Sequence, residues 1–172
     1  STLESLRVFH IANGNDLEAQ AIEERLKKLS EWKISPYTEI VEKIEDAHNF
    51  PCLYVFHVTN GNTAAADRIS EKLEQLTKWN ANATQKINLK REIVSKLENA
   101  RDLESQYVYH IANGNDTEAQ ALETKLATLE KVGIRLSTRI VKNFNQTRSF
   151  AEQFVHHIVN NTVPEQSTLE HI

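Results

Sequence analysis

Residues 3–29, LESLRVFHIANGNDLEAQAIEERLKKL, and residues 103–129, LESQYVYHIANGNDTEAQALETKLATL, agree at 18 of 27 positions without a gap. The offset of 100 persists beyond them: Thr38, Ile40, Val41 and Phe50 return as Thr138, Ile140, Val141 and Phe150, and Val55, His57 and Asn60 as Val155, His157 and Asn160. A shorter period lies inside the long one. VFHIANGN (8–15) returns as VFHVTNGN (55–62), and EIVEKIE (39–45) as EIVSKLE (92–98). The chain therefore divides into a first repeat unit, 1–100, made of half-units 1–50 and 51–100, and a second, truncated unit, 101–172. The two are expected to pack as one domain. Duplication restricts the fold to architectures in which equivalent segments bury equivalent faces. The repeat length and signatures differ from those of TPR, HEAT and ankyrin arrays.

Each half-unit reads as three helices. The first, about Thr2 to Ala12, ends at Asn13-Gly14, where glycine supplies a left-handed residue at low cost. The second starts at once, with Asn15 as N-cap and Glu18 placed as in a capping box. In the fourth copy Thr162-Val-Pro-Glu165 occupies this register, and a proline there cannot continue an unbroken helix. The second helix carries one apolar seam: Ala19, Ile22, Leu26 and Leu29, then Ala66, Ile69, Leu73 and Leu76, then Ala119, Leu122, Leu126 and Leu129. Spacings of three and four put each set on one face. A third helix is expected after Ser35-Pro36, with a stripe of Tyr37, Ile40, Val41 and Ile44 matched by Ile93, Val94 and Leu97, and by Ile140, Val141 and Phe144. Pro51 opens the next first-type helix, and residues 80–84 form a polar linker. The fold class is thus all-α, a duplicated helical-repeat protein closed into a pseudo-symmetric bundle; the alternative is a short α-solenoid.

The low glycine (4) and proline (3) counts in 172 residues disfavour turn-rich sandwiches and barrels. A net charge of −4 without a dense basic run disfavours a general nucleic-acid role. No apolar run is long enough to span a membrane. Cys52 stands alone, so no disulfide can form within the chain. The chain begins at Ser1 and lacks methionine, as trimming by a signal peptidase or another protease would leave it. Sequons at Asn82, Asn145 and Asn160 are possible N-glycosylation sites, although chance supplies about two in a chain of this composition. A secreted protein is expected, with a cytoplasmic one as the alternative.

Four equivalent histidines, His10, His57, His110 and His157, are the candidate metal ligands, since four such side chains could make a zinc site or serve a haem. Their place in the last turn of each first-type helix favours a helix-end role, where imidazole meets the carbonyl end of the dipole. NGND resembles a calcium loop in composition but lacks its glycine and closing glutamate spacing. Paired carboxylates alternate with lysines as on a solvated face. Nucleophile-elbow, phosphate-loop, dinucleotide and H-E-x-x-H motifs are absent. No catalytic residue and no cofactor is expected. Trp32 and Trp79, equivalent in register, should seal helix ends. Phe9, Tyr54, Phe56, Tyr107, Tyr109 and Phe154 are the candidate lining of an apolar cavity between helices. These features imply a non-catalytic binding protein that presents a helical surface to a protein partner. The alternatives are a carrier of a small hydrophobic ligand or lipid and, more remotely, metal or haem binding through the histidines.

Overall fold

The computed structural model describes residues 1–162. Among them the chain is all-helical, with seven α-helices: α1 (Leu3–Ala12), α2 (Asp16–Glu31), α3 (Phe50–Thr59), α4 (Thr63–Asn82), α5 (Leu103–Ala112), α6 (Asp116–Lys131) and α7 (Phe150–Val159). The secondary structure of residues 1–62 recurs position for position over 101–162. Two compact units are present. One comprises Ser1–Leu76 and Asn88–Glu92, the other Thr77–Ile87 and the chain from Ile93 onward.

The first-type helices α1, α3, α5 and α7 each start from a different cap in the same place. Thr2 accepts from the Ser5 amide and forms a capping box, while Asn49, Asp102 and Ser149 accept from Cys52, Ser105 and Glu152. Each cap satisfies an amide that the helix cannot, which contributes about 1 kcal/mol. All four helices end alike. In α1 the Gly14 amide donates to the Ile11 carbonyl (3.2 Å) and the Asn15 amide to the His10 carbonyl (2.8 Å). This is the Schellman pairing, and it needs a left-handed residue between the two donors. Gly14 supplies it at φ +71°, and in the fourth copy Asn161 takes the position at φ +55°. The helix therefore breaks at every one of the four junctions.

The second-type helices carry the expected seam. In the first unit Ala19, Ile22 and Leu29 of α2 and Ala66, Ile69, Leu73 and Leu76 of α4 are buried; Leu26 is half-buried. In the second unit Ala119, Leu122, Leu126 and Leu129 of α6 are buried. Each fully buried leucine stabilises the fold by about 1.5–3 kcal/mol. Helix α1 packs on α2 and α2 on α3; in the other unit α5 packs on α6 and α6 on α7.

The third helix does not form. After α2 the chain turns at Lys33 and runs in irregular, partly extended backbone to a 3-10 turn at Ile44–Asp46. Ile40 donates its amide to the Ser1 carbonyl (2.8 Å), and Thr2 and Glu39 form an isolated β-bridge. The second unit repeats this with Ile140, Arg101, Asp102 and Arg139. The i, i+3, i+4, i+7 spacing of Tyr37, Ile40, Val41 and Ile44 suited a helix, but β-branched residues are weak helix formers. A distant backbone acceptor outcompetes the local ladder. Tyr37 and Ile44 are exposed as a result, as are Leu97 and Phe144 in the corresponding 3-10 turns.

Two smaller expectations also change. Asn15 occupies the N-cap position of α2, but its side chain makes no cap bond because the backbone there (φ −87°, ψ 73°) belongs to the Schellman turn. Residues 80–82 continue α4 rather than starting a linker, so Trp79 lies inside the helix while Trp32 caps α2. The Pro164 and Glu165 start signal lies outside the described residues.

Candidate functional site

The Schellman turns place each marker histidine beside the residue five positions on. The Asn15 amide nitrogen lies 3.1 Å from His10 Nδ1, Asn62 lies 3.3 Å from His57 and Asn115 lies 3.0 Å from His110. An amide nitrogen only donates, so in each of these contacts the imidazole Nδ1 is the acceptor. In the fourth copy Thr162 Oγ1 meets His157 Nδ1 at 2.7 Å. The first asparagine of each turn donates back to a helix carbonyl, as Asn13 does to Phe9 (2.7 Å) and Asn160 to His156 (2.8 Å). The repeated histidines thus brace their own helix ends. Among the described residues, no three His, Cys, Asp or Glu side chains gather in a way that could hold a metal ion. Burial, and after it the nearby Arg68, pulls His57 below the ordinary imidazole range.

The six aromatic candidates separate into two sets. Tyr54, Tyr107 and Phe154 are buried in the cores of their units. Tyr54 donates to the Lys28 carbonyl (3.3 Å), and Tyr107 donates to Glu123 (2.6 Å). Burial, and for Tyr107 also that hydrogen bond, raises both phenols. Phe9, Phe56 and Tyr109 each meet the adjacent histidine edge-on at 5.2–5.3 Å. Of the sequon asparagines, Asn82 ends α4, Asn145 lies in a 3-10 turn and Asn160 caps α7; all three are exposed.

Clefts form elsewhere. In the first unit Trp32, Ser35, Pro51, Cys52, Leu73 and Leu89 border a cleft of about 400 Å³. The Trp32 indole donates to Ser70 Oγ (3.1 Å). A second cleft, about 190 Å³, lies between α2 and the end of α3, bordered by Arg25, Lys28 and His57. The second unit has its counterpart at Lys125, Thr128 and His157, about 430 Å³.

Helix α1 breaks the equivalence of the copies most clearly. Val8, Phe9 and Ile11 are 54%, 56% and 50% exposed, whereas Val55, Val58, Val108 and Ile111 at matching positions are at most 3% exposed. Leu17, in the first turn of α2, is 80% exposed. Where Tyr54, Tyr107 and Phe154 supply a buried aromatic, α1 has Arg7, held by Glu4 at 3.1 and 2.6 Å. The sequence contained this signal, because Arg7 departs from three aromatics in register. Gln85 carried no such signal. It joins two backbone groups and one carboxylate of the second unit: its backbone amide donates to the Glu130 carboxylate (2.7 Å), its side chain donates to the Ile134 carbonyl (2.7 Å), and its side chain accepts from the Leu136 amide (2.9 Å). Compared with family models, with curated proteins and with solved structures, the chain matches none of them.

Proposed function

We propose that this chain is a non-catalytic helical-repeat binding protein that presents a helical surface to a protein partner. The observation that carries this reading is the exposure of Val8 and Ile11 on α1, at positions that are buried in α3 and α5, with the exposed Phe9 beside them. Contiguous apolar side chains left in water mark interaction sites in folded proteins. A non-catalytic role is supported by how the distinctive groups are used. The repeated histidines brace helix ends, and the buried tyrosines are tied to Lys28 and Glu123 inside their cores. A photo-crosslinking residue at Phe9, and another at Glu98 as an exposed control, would test the reading in cells that make the protein. One defined adduct from the first position and none from the second is expected; equal background labelling would refute it.

A second reading, a carrier of a small hydrophobic ligand or lipid, rests on the cleft at Trp32, Cys52, Leu73 and Leu89, whose volume lies in the range of ligand sites. Organic extraction of the native protein tests it: release of a stoichiometric apolar molecule supports a carrier, and its absence removes that reading.

A further inference from the structure

We infer that the cleft at Trp32 in the first unit takes a small amphiphile of one chemical class, an apolar chain or ring ending in a single carboxylate. The inference rests on the second reading above, that this cleft holds a small apolar molecule, and it adds the head group.

The cleft is graded in polarity. Leu73 is buried in its wall, Trp32, Pro51, Cys52 and Leu89 are half-buried, and Lys33 and Lys90 are exposed. The Trp32 ring is held in place by its hydrogen bond to Ser70 Oγ (3.1 Å). An apolar body against the first five residues would lose water, while a charged end beside the lysines would keep it. A volume of about 400 Å³ is at the small end of ligand sites, which suits one short chain or ring rather than a two-chain lipid.

The sign of the charged end follows from the border. Lys33 and Lys90 contribute two positive charges, and no aspartate or glutamate borders the cleft. The chain as a whole carries −4, so the cleft is locally opposite in sign to the molecule. Among the described residues neither ammonium takes part in an ion pair, so both are open to an anion.

The duplicate shows that these features are not imposed by the fold. Val132, Gly133 and Glu152 stand in the second unit where the first has Trp32, Lys33 and Cys52. Glu152 puts there a carboxylate, 3.7 Å from Arg139, that would repel an anion. Lys33 differs in a further way. Its φ is +55°, a region that Gly133 occupies without strain at φ +75°. The first unit thus tolerates a strained backbone at the one position that brings an ammonium to the cleft, and strain of this kind gathers at functional sites. Three departures from the repeat meet in one cleft, and together they add an aromatic wall, add a cation and remove an anion.

The probes are octanoate and octan-1-ol, which share a chain and differ in the charged end. Each is titrated at pH 7 into the nitrogen-15-labelled full chain, and amide shifts both locate and quantify binding. Saturable shifts are expected at Cys52, Leu89 and Lys90, with octanoate bound about tenfold more tightly than octan-1-ol, as two solvent-facing charge contacts supply. Lys33→Gly and Lys90→Gln should each reduce that preference about threefold, and the double variant should nearly abolish it. Lys33→Gly installs the residue that the second unit already uses in this conformation, and circular dichroism would verify that both variants keep their helicity. Equal affinity for the two probes at these amides would refute the head group and leave the carrier reading standing. A preference that survives the double variant, or octanoate shifts confined to the other cleft at Arg25 and Lys28, would also overturn the inference. No shift at the cleft with either probe up to about 3 mM would remove the carrier reading with it.

Discussion

Replacing Gly114 tests whether the helices break where the structure breaks them. The residue has φ +70°, and a Cβ built there meets no atom within 4 Å. The cost of a side chain is therefore purely a backbone cost. A left-handed L-residue costs about 1–2 kcal/mol. Removing glycine from the unfolded chain returns about 0.4–1 kcal/mol. Gly114→Ala should then destabilise by about 0.5–1 kcal/mol, a fall in Tm of roughly 1–4 °C for a protein of this size. Gly114→Asn should be nearly neutral, because asparagine tolerates this region and Asn161 already occupies the matching position at φ +55°. Gly114→Val should be the worst, since a β-branched residue is a genuine outlier there. Urea unfolding at constant m-value reads all three. The sign decides the matter. In a continuous helix Gly→Ala would stabilise by about 1 kcal/mol, so a stabilised alanine variant would refute the reasoning.

Lys33 has φ +55° at the place where the second unit has Gly133 at φ +75°. Lys33→Gly should be neutral to mildly stabilising, and Gly133→Lys should destabilise by about 0.5–1 kcal/mol in the same urea assay. His57 has its pKa lowered in the folded state, so the unfolded chain takes up the proton more readily. Its contribution is intact above the unfolded value near 6.5 and is lost as pH falls from there through the lower folded value. His57→Gln should flatten the acid side of the stability–pH profile, and an unchanged slope would contradict the assignment. Gln85→Ala removes the partners of the Ile134 carbonyl and the Leu136 amide and should cost about 1–3 kcal/mol, read by denaturation and by faster exchange of the Leu136 amide.

The paired helices were legible because their signals are local. Ala19, Ile22 and Leu29 recur at helical spacing, and Asn13-Gly14 carries its own stop chemistry. The segment after α2 was not legible, since Ile40 is placed by a carbonyl at Ser1, and that pairing leaves no trace in the spacing of neighbours. Asn15 takes the expected N-cap position of α2, but its side chain braces His10 at the end of the preceding helix instead of capping. The same residue type serves either purpose, and the glycine before it decides which. The distinct character of α1 was half legible. Arg7 stood out against Tyr54, Tyr107 and Phe154, but the exposure of Val8 and Ile11 depends on what lies across from them, which the sequence of α1 does not encode.

The separation between bonded partners also orders the assembly of the chain in time. Every group in a Schellman turn finds its mate within six residues, so the hairpins α1–α2 and α5–α6 can close without waiting for any other segment. The extended stretch at Ile40 must instead find Ser1, thirty-nine residues back, and it pays loop-closure entropy that only a preformed hairpin reduces. Helical hairpins should therefore gather first in microseconds, with the strand-like bridges at Thr2 and Asp102 clasping them afterwards as a late latch.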